Sequence, residues 1–196
     1  MTIKRDIKWL LRGRQKRPIF RVMTRPLTPT EILGKAKKIN PQISFGDVSG
    51  FLKELEGRGI LKNLTPEQMT GKIYFLTNYG RRLMWKIFDL KIDEERQDID
   101  WYKYSRILAG RTRKYVMLEI YRVRKLFPDG VNVSFIRKQS CRVYPLTLSQ
   151  ACCTVHDLRK DKLIRVAGIS RKKGSKLYKL SSAGIKICKY LLEKSQ

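Results

Sequence analysis

Histidine is almost missing from this chain. Among 196 residues only His156 can offer an imidazole near neutrality, and with that goes the commonest general acid or base. No Ser or Cys stands in a nucleophile motif. The one glycine-rich basic stretch, Gly168 to Lys176, sets five residues between its glycines, where a phosphate loop needs four and then Gly-Lys. These absences argue against an enzyme, and no cofactor is expected. Cysteine is scarce as well: Cys141, Cys152, Cys153 and Cys188 all fall in the second half without a CxxC pair, as in reduced intracellular proteins rather than disulfide scaffolds. No apolar run approaches the ~18 residues of a membrane span, and Met1 to Asp6 lacks the apolar stretch of a signal peptide. A cytoplasmic protein, with no membrane partner, is expected.

The last shortage is of acid. Seventeen Asp and Glu face 44 Lys and Arg, a formal charge of +27, and a folded chain tolerates that self-repulsion best beside a polyanion. The imbalance is uneven: residues 1–40 hold 12 basic and 2 acidic side chains, 41–100 hold 9 and 10, and 101–196 hold 23 and 5. With 42% hydrophobic residues, a chain of this length buries about 70% of its unfolded surface, enough for one core or two small ones.

An internal repeat decides between them. Gly13-Arg14-Gln15-Lys16-Arg17 and Ile19 match Gly110-Arg111-Thr112-Arg113-Lys114 and Val116 at an offset of 97. Leu55, Ile60 and Leu61 match Leu158, Leu163 and Ile164 at 103, and Lys72, Tyr74, Leu76 and Gly80 match Lys176, Tyr178, Leu180 and Gly184 at 104. The growth in offset implies about seven extra residues in the second copy, most of them between its first helix and the helix that precedes its hairpin.

Each copy reads as three helices, a hairpin and a closing helix. In the first, helical turns run from Trp9 to Met23, with Pro18 a start or kink, and Thr28-Pro29-Thr30-Glu31 is a capping box opening a helix to about Lys38. A third helix follows Ser44, placing Val48, Leu52 and Leu55 on one face. A hairpin spans Ile60 to Leu64 and Lys72 to Leu76, and Thr77 to Asp89 returns to helical spacing. The second copy gives helices at 112–126, 135–142 and 148–160, a hairpin at 163–180 and a last helix at 183–192. Between the copies, Asp93, Glu94, Glu95, Asp98 and Asp100 crowd into eight residues, a solvated acidic helix or hinge, or a strip that keeps the two basic units apart on DNA or competes with it. The domain reading is 1–90, an acidic linker or linking helix at 91–107, and 108–196.

These residues resemble the winged helix-turn-helix domains of MarR-like and ArsR-like transcription regulators of bacteria and archaea. The first copy carries the likeness in Leu27-Thr28-Pro29-Thr30-Glu31-Ile32, in Ile43-Ser44, Val48-Ser49, Leu52 and Glu54-Leu55, and in Gly59-Ile60-Leu61. Its wing resembles an archaeal one through Leu64-Thr65-Pro66-Glu67, Gly71-Lys72, Tyr74, Leu76-Thr77 and Gly80. The second copy departs from the pattern in its lengthened segment and at Cys152-Cys153. The resemblance implies a mostly α fold with small β-hairpin wings, two tandem winged-helix domains, double-stranded DNA as partner, and either a monomer with pseudo-twofold repeat or a homodimer.

It also implies where DNA would be held. On the second reading helix, Thr147, Ser149, Gln150, Cys153, Thr154 and Asp157 are the expected exposed positions, with Gln150 able to bond adenine and Ser149 a general donor and acceptor. The wing tip Arg171, Lys172, Lys173, Gly174, Ser175 and Lys176 reads as a phosphate clamp or a merely solvated loop. The first copy offers Ser44, Gly46, Asp47, Ser49, Gly50 and Lys53, with Lys62 and Lys72 against Glu67 on its wing, a weaker base reader. Its other cations, Lys4, Arg5, Lys8, Arg12, Arg14, Lys16, Arg17, Arg21 and Arg25, line a DNA backbone or simply face water. Cys152 and His156 share a helix face at metal-ligand spacing, but two ligands are too few, and no metal is expected. Trp9, Trp85, Trp101 and Tyr102 read as core or dimer packing rather than base-stacking platforms. The remaining alternatives are a low-specificity replication or chromatin protein, and a tandem winged-helix adaptor that binds proteins.

Overall fold

Most helix starts in this chain carry a side chain that satisfies the orphan N–H groups of the first turn. Thr28 and Ser44 close reciprocal capping boxes with Glu31 and Asp47, and Thr147 does so with Gln150. Thr77, Asp100 and Ser181 cap three further helices. The computed structural model describes residues 3–94, 96, 98–140, 145–170 and 174–194, and the chain forms two units, Met1–Arg96 and Gln97–Gln196.

The first unit runs α1 (Ile3–Arg12), α2 (Lys16–Arg21), α3 (Pro29–Lys37), α4 (Phe45–Gly57), β1 (Leu61–Asn63), β2 (Tyr74–Leu76) and α5 (Asn78–Phe88). The second runs α6 (Trp101–Leu108), α7 (Arg111–Val123), α8 (Val133–Ser140), α9 (Leu148–Lys160), β3 (Ile164–Ile169), β4 (Lys176–Leu180) and α10 (Ser182–Glu193). Both are mostly helical with one small antiparallel hairpin each, an α+β arrangement. Among the described residues no helix is long and apolar enough to cross a membrane.

The repeat is visible in hydrogen bonds. Leu27 and Tyr74 exchange backbone bonds of 3.1 and 2.9 Å, and Val131 and Tyr178, each 104 residues on, exchange bonds of 2.9 and 2.8 Å. Each bridge adds a third, one-residue strand to its hairpin. The Thr77 hydroxyl donates to the Gly59 carbonyl at 2.7 Å, and that of Ser181 to the Lys162 carbonyl at 2.8 Å. Three residues later stand Gly80 and Gly184, where a methyl would lie 2.1 Å from the Ile60 oxygen and 2.3 Å from the Leu163 oxygen. Only glycine lets the closing helix approach the hairpin so closely.

Ion pairs repeat too, one with its sign reversed. Lys16 reaches Glu54 at 2.7 Å and Arg113 reaches Asp157 at 2.9 Å, joining α2 to α4 and α7 to α9. Asp6 on α1 accepts from Arg58 at the end of α4, at 2.9 Å, whereas in the second unit Arg106 on α6 meets Asp161 at the end of α9, at 2.7 Å. The geometry of the link is kept while acid and base trade places.

Two expectations change. The extra residues of the second copy lie partly within α7, which runs to Val123 where α2 ends at Arg21, and partly in the loop that follows it, since the offset is already 104 at the Val131 bridge. The segment at 91–107, expected as an acidic linker or linking helix, also belongs in part to the second unit, which begins at Gln97. Trp101 and Tyr104 of α6 pack edge-on against Tyr190 of α10, with ring centroids 5.4 and 5.3 Å apart, and Ile107 is fully buried. Apolar area outweighs the nearby acids, so α6 joins the second unit's core.

The cores follow the helical period. Val48, Phe51, Leu52 and Leu55 of α4 are buried against Ile32, Ala36 and Leu83. Ala151, Thr154, Val155 and Leu158 form the buried stripe of α9.

Candidate nucleic-acid interface

The buried stripe of α9 determines what its other face presents. Ser149, Gln150, Cys152, Cys153, His156, Arg159 and Lys160 are exposed, and Asp157 is half-buried. Thr154, expected on this face, is instead 7% exposed, because it falls three residues after Ala151 and four before Leu158 on the inward stripe. His156 and Cys152 lie outward on that same face. Among the described residues no group of three or more His, Cys, Asp or Glu side chains is placed to hold a metal ion.

Capping limits what the helix start can read. The Gln150 side-chain carbonyl accepts from the Thr147 N–H at 3.0 Å, and the Thr147 hydroxyl accepts from the Gln150 N–H at 3.1 Å. Gln150 therefore keeps its amide N–H groups as donors, while bidentate pairing with adenine needs its oxygen released from the cap. Ser149 stands clear.

After Lys160 the chain turns directly into the hairpin, with Leu163 N–H donating to the Leu158 carbonyl at 2.9 Å. Lys162 makes this turn at φ 57°, in the left-handed region where the first unit has Gly59. Arg165 on β3 then stands opposite Lys179 on β4, and like charges directly across a ladder repel. Lys176 is exposed at the far end of β4, and Ser175 is half-buried, its hydroxyl 3.5 Å from Asn132. Arg171, Lys172 and Lys173 lie outside the described residues. The acid of this helix face, Asp157, is taken by Arg113, so its exposed charge is that of Arg159 and Lys160.

The first unit differs in sign. Helix α4 holds Asp47, Glu54 and Glu56 against Lys53 alone. Ser44 donates to the Asp47 carboxylate from both its hydroxyl, at 2.6 Å, and its N–H, at 2.8 Å, and these bonds hold the Asp47 carboxyl below the usual carboxylate range. Ser49 is half-buried, Lys53 is exposed, and Lys72 is half-buried just before β2.

Two residues passed over in the sequence stand at equivalent places. Phe45 and Leu148 follow the caps Ser44 and Thr147 as the first residues of α4 and α9, and are 53% and 47% exposed. An offset of 103, already found for Leu55 and Leu158, aligns them. Such apolar groups suit contact with a thymine methyl.

Comparison with protein-family models, with curated proteins and with solved structures gives no match.

Proposed function

We propose that this chain is a double-stranded DNA-binding protein of two tandem winged helix-turn-helix units, acting as a transcription regulator, with α9 in the major groove and the β3–β4 hairpin on phosphates or in the minor groove. The observation that carries the reading is the run of cations from Arg159 and Lys160 through Arg165 and Lys179 along one helix end and its hairpin, with the local acid Asp157 neutralised by Arg113. Phosphates opposite Arg165 and Lys179 would relieve their mutual repulsion. Helix α9, about 20 Å long, suits a groove about 12 Å wide.

The roles divide by position. Ser149 and the amide N–H groups of Gln150 meet base edges, Leu148 meets a thymine methyl, and Lys176 with Arg171, Lys172 and Lys173 holds phosphates. In the first unit Phe45, Ser44, Ser49 and Lys53 are the corresponding set, and Asp47, Glu54 and Glu56 make it the weaker partner. Replacing Arg171, Lys172 and Lys173 by glutamine should flatten the dependence of affinity on salt by about 0.9 per phosphate no longer neutralised; an unchanged slope removes the wing from the reading.

A second reading, duplex binding with little sequence preference, is favoured by the acids on α4 and by the capped Gln150. Competition between a promoter fragment and bulk DNA separates the two, because a regulator shows a large specificity ratio.

A further inference from the structure

In the first unit, α5 and α2 build a second cationic surface. Trp85 projects from α5 with 57% of its surface exposed, a large area for an indole that no core requires. Two hollows, of about 600 and 360 Å³, share it as a wall. Arg17 and Arg21 line the larger with Lys86, and Arg82 and Lys91 line the smaller beside Arg81, which is paired with Glu94 at 3.4 Å. Both guanidiniums of α2 stand 5.9 Å from the centre of the Phe88 ring, which floors the larger hollow. Apart from the paired Arg81, five cations face one acid in the walls of the two hollows, Asp89, and among the described residues none of the five enters an ion pair.

From this geometry we infer that Trp85 is a stacking platform for an unpaired nucleobase, with Arg17, Arg21, Arg82, Lys86 and Lys91 holding the flanking phosphates, so that the first unit binds single-stranded nucleic acid. An exposed indole between cations matches both halves of a nucleotide in a single strand. A duplex does not fit it, since paired bases hide their faces in the stack and offer only edges. A second copy of the chain fits no better: a twofold contact would set five cations against five, and interface centres are depleted of charge.

The full chain reports on the site directly, because Trp9 lies between Lys16 and Arg58, each 4.0 Å from its ring centre, and Trp101 is 7% exposed. Addition of an eight-residue oligothymidylate should quench Trp85 emission and protect it from iodide. W85A, which touches little of the core, should abolish the quench and weaken binding about tenfold or more, while W85F retains most of the affinity. R17Q with R21Q should lower the salt slope by about 0.7 for each phosphate released. R159A with K160A should leave the oligothymidylate quench intact, which separates this site from the duplex reading. The proposal is overturned if inorganic polyphosphate or duplex DNA quenches Trp85 as well as the oligomer does, if W85A binds as tightly as the parent, or if Trp85 is shielded from iodide by self-association without nucleic acid.

Discussion

Truncating Arg58 should cost more stability than truncating Asp6, although Arg58 is the more exposed of the two. The Asp6 side chain is wholly buried, whereas that of Arg58 is 26% exposed. Asp6 accepts from Arg58 at 2.9 Å and from the Tyr79 hydroxyl at 2.5 Å. R58A leaves a buried carboxylate with the phenol alone, a loss of about 3–5 kcal/mol, to which the lost stacking on Trp9 adds about 0.5–1 kcal/mol. D6A removes both bonds but frees a guanidinium that can turn to water, so about 2–3 kcal/mol is expected. In D6A with R58A no charge is stranded, and the loss should fall short of the sum by about 1–3 kcal/mol. Urea unfolding read by hydrogen exchange, segment by segment, places the loss in the first unit. Additive effects, or D6A costing as much as R58A, would refute the reasoning.

Four further outcomes follow from the geometry. G80A and G184A each force a methyl against a backbone oxygen, at 2.1 and 2.3 Å, and should lose about 3 kcal/mol or more in thermal unfolding; a loss below about 1 kcal/mol contradicts the close approach. K162G should stabilise the second unit by about 0.5–1 kcal/mol, because it relieves a left-handed lysine, and a destabilised variant means the lysine stem packs usefully there. Burial pushes the Cys188 thiol up to about 12, against the opposing pull of Arg124, so at pH 8 to 9 a thiol reagent should label the exposed Cys152 and Cys153 and spare Cys188 until unfolding. Because the shift is upward, the stability it carries is intact below the ordinary thiol range and is lost as pH rises from about 9 toward 12. Tyr79, raised to about 12 by burial and then by Asp6, should titrate closer to an ordinary phenol in D6N; absorbance at alkaline pH checks it.

Much of this architecture can be read from spacing alone. The capping motifs at Thr28, Ser44 and Thr147 start their helices where the residue types require, and Val48, Leu52 and Leu55 point inward as their period demands. Local chemistry settles such features. What escaped was decided by rotation or by distant contacts. Thr154 looks like a surface residue by type, yet the angle between Ala151 and Leu158 carries it inward. The acids ahead of α6 suggest a linker, while Trp101 and Tyr104 find their partner Tyr190 almost ninety positions on. The acids on α4 and the capped oxygen of Gln150 alter the candidate surface in ways that no count of basic residues reveals.

Duplex affinity measured from low to high salt, for the parent and for a variant carrying R159Q, K160Q, R165Q and K179Q, bears most directly on the central proposal. The account predicts retention of duplex DNA at low salt, a steep fall as salt rises, and a slope reduced by about 3 to 4 in the variant, with K53Q on α4 changing it by no more than about 1. A parent that retards no duplex at low salt, or a variant whose slope equals the parent's, would contradict it.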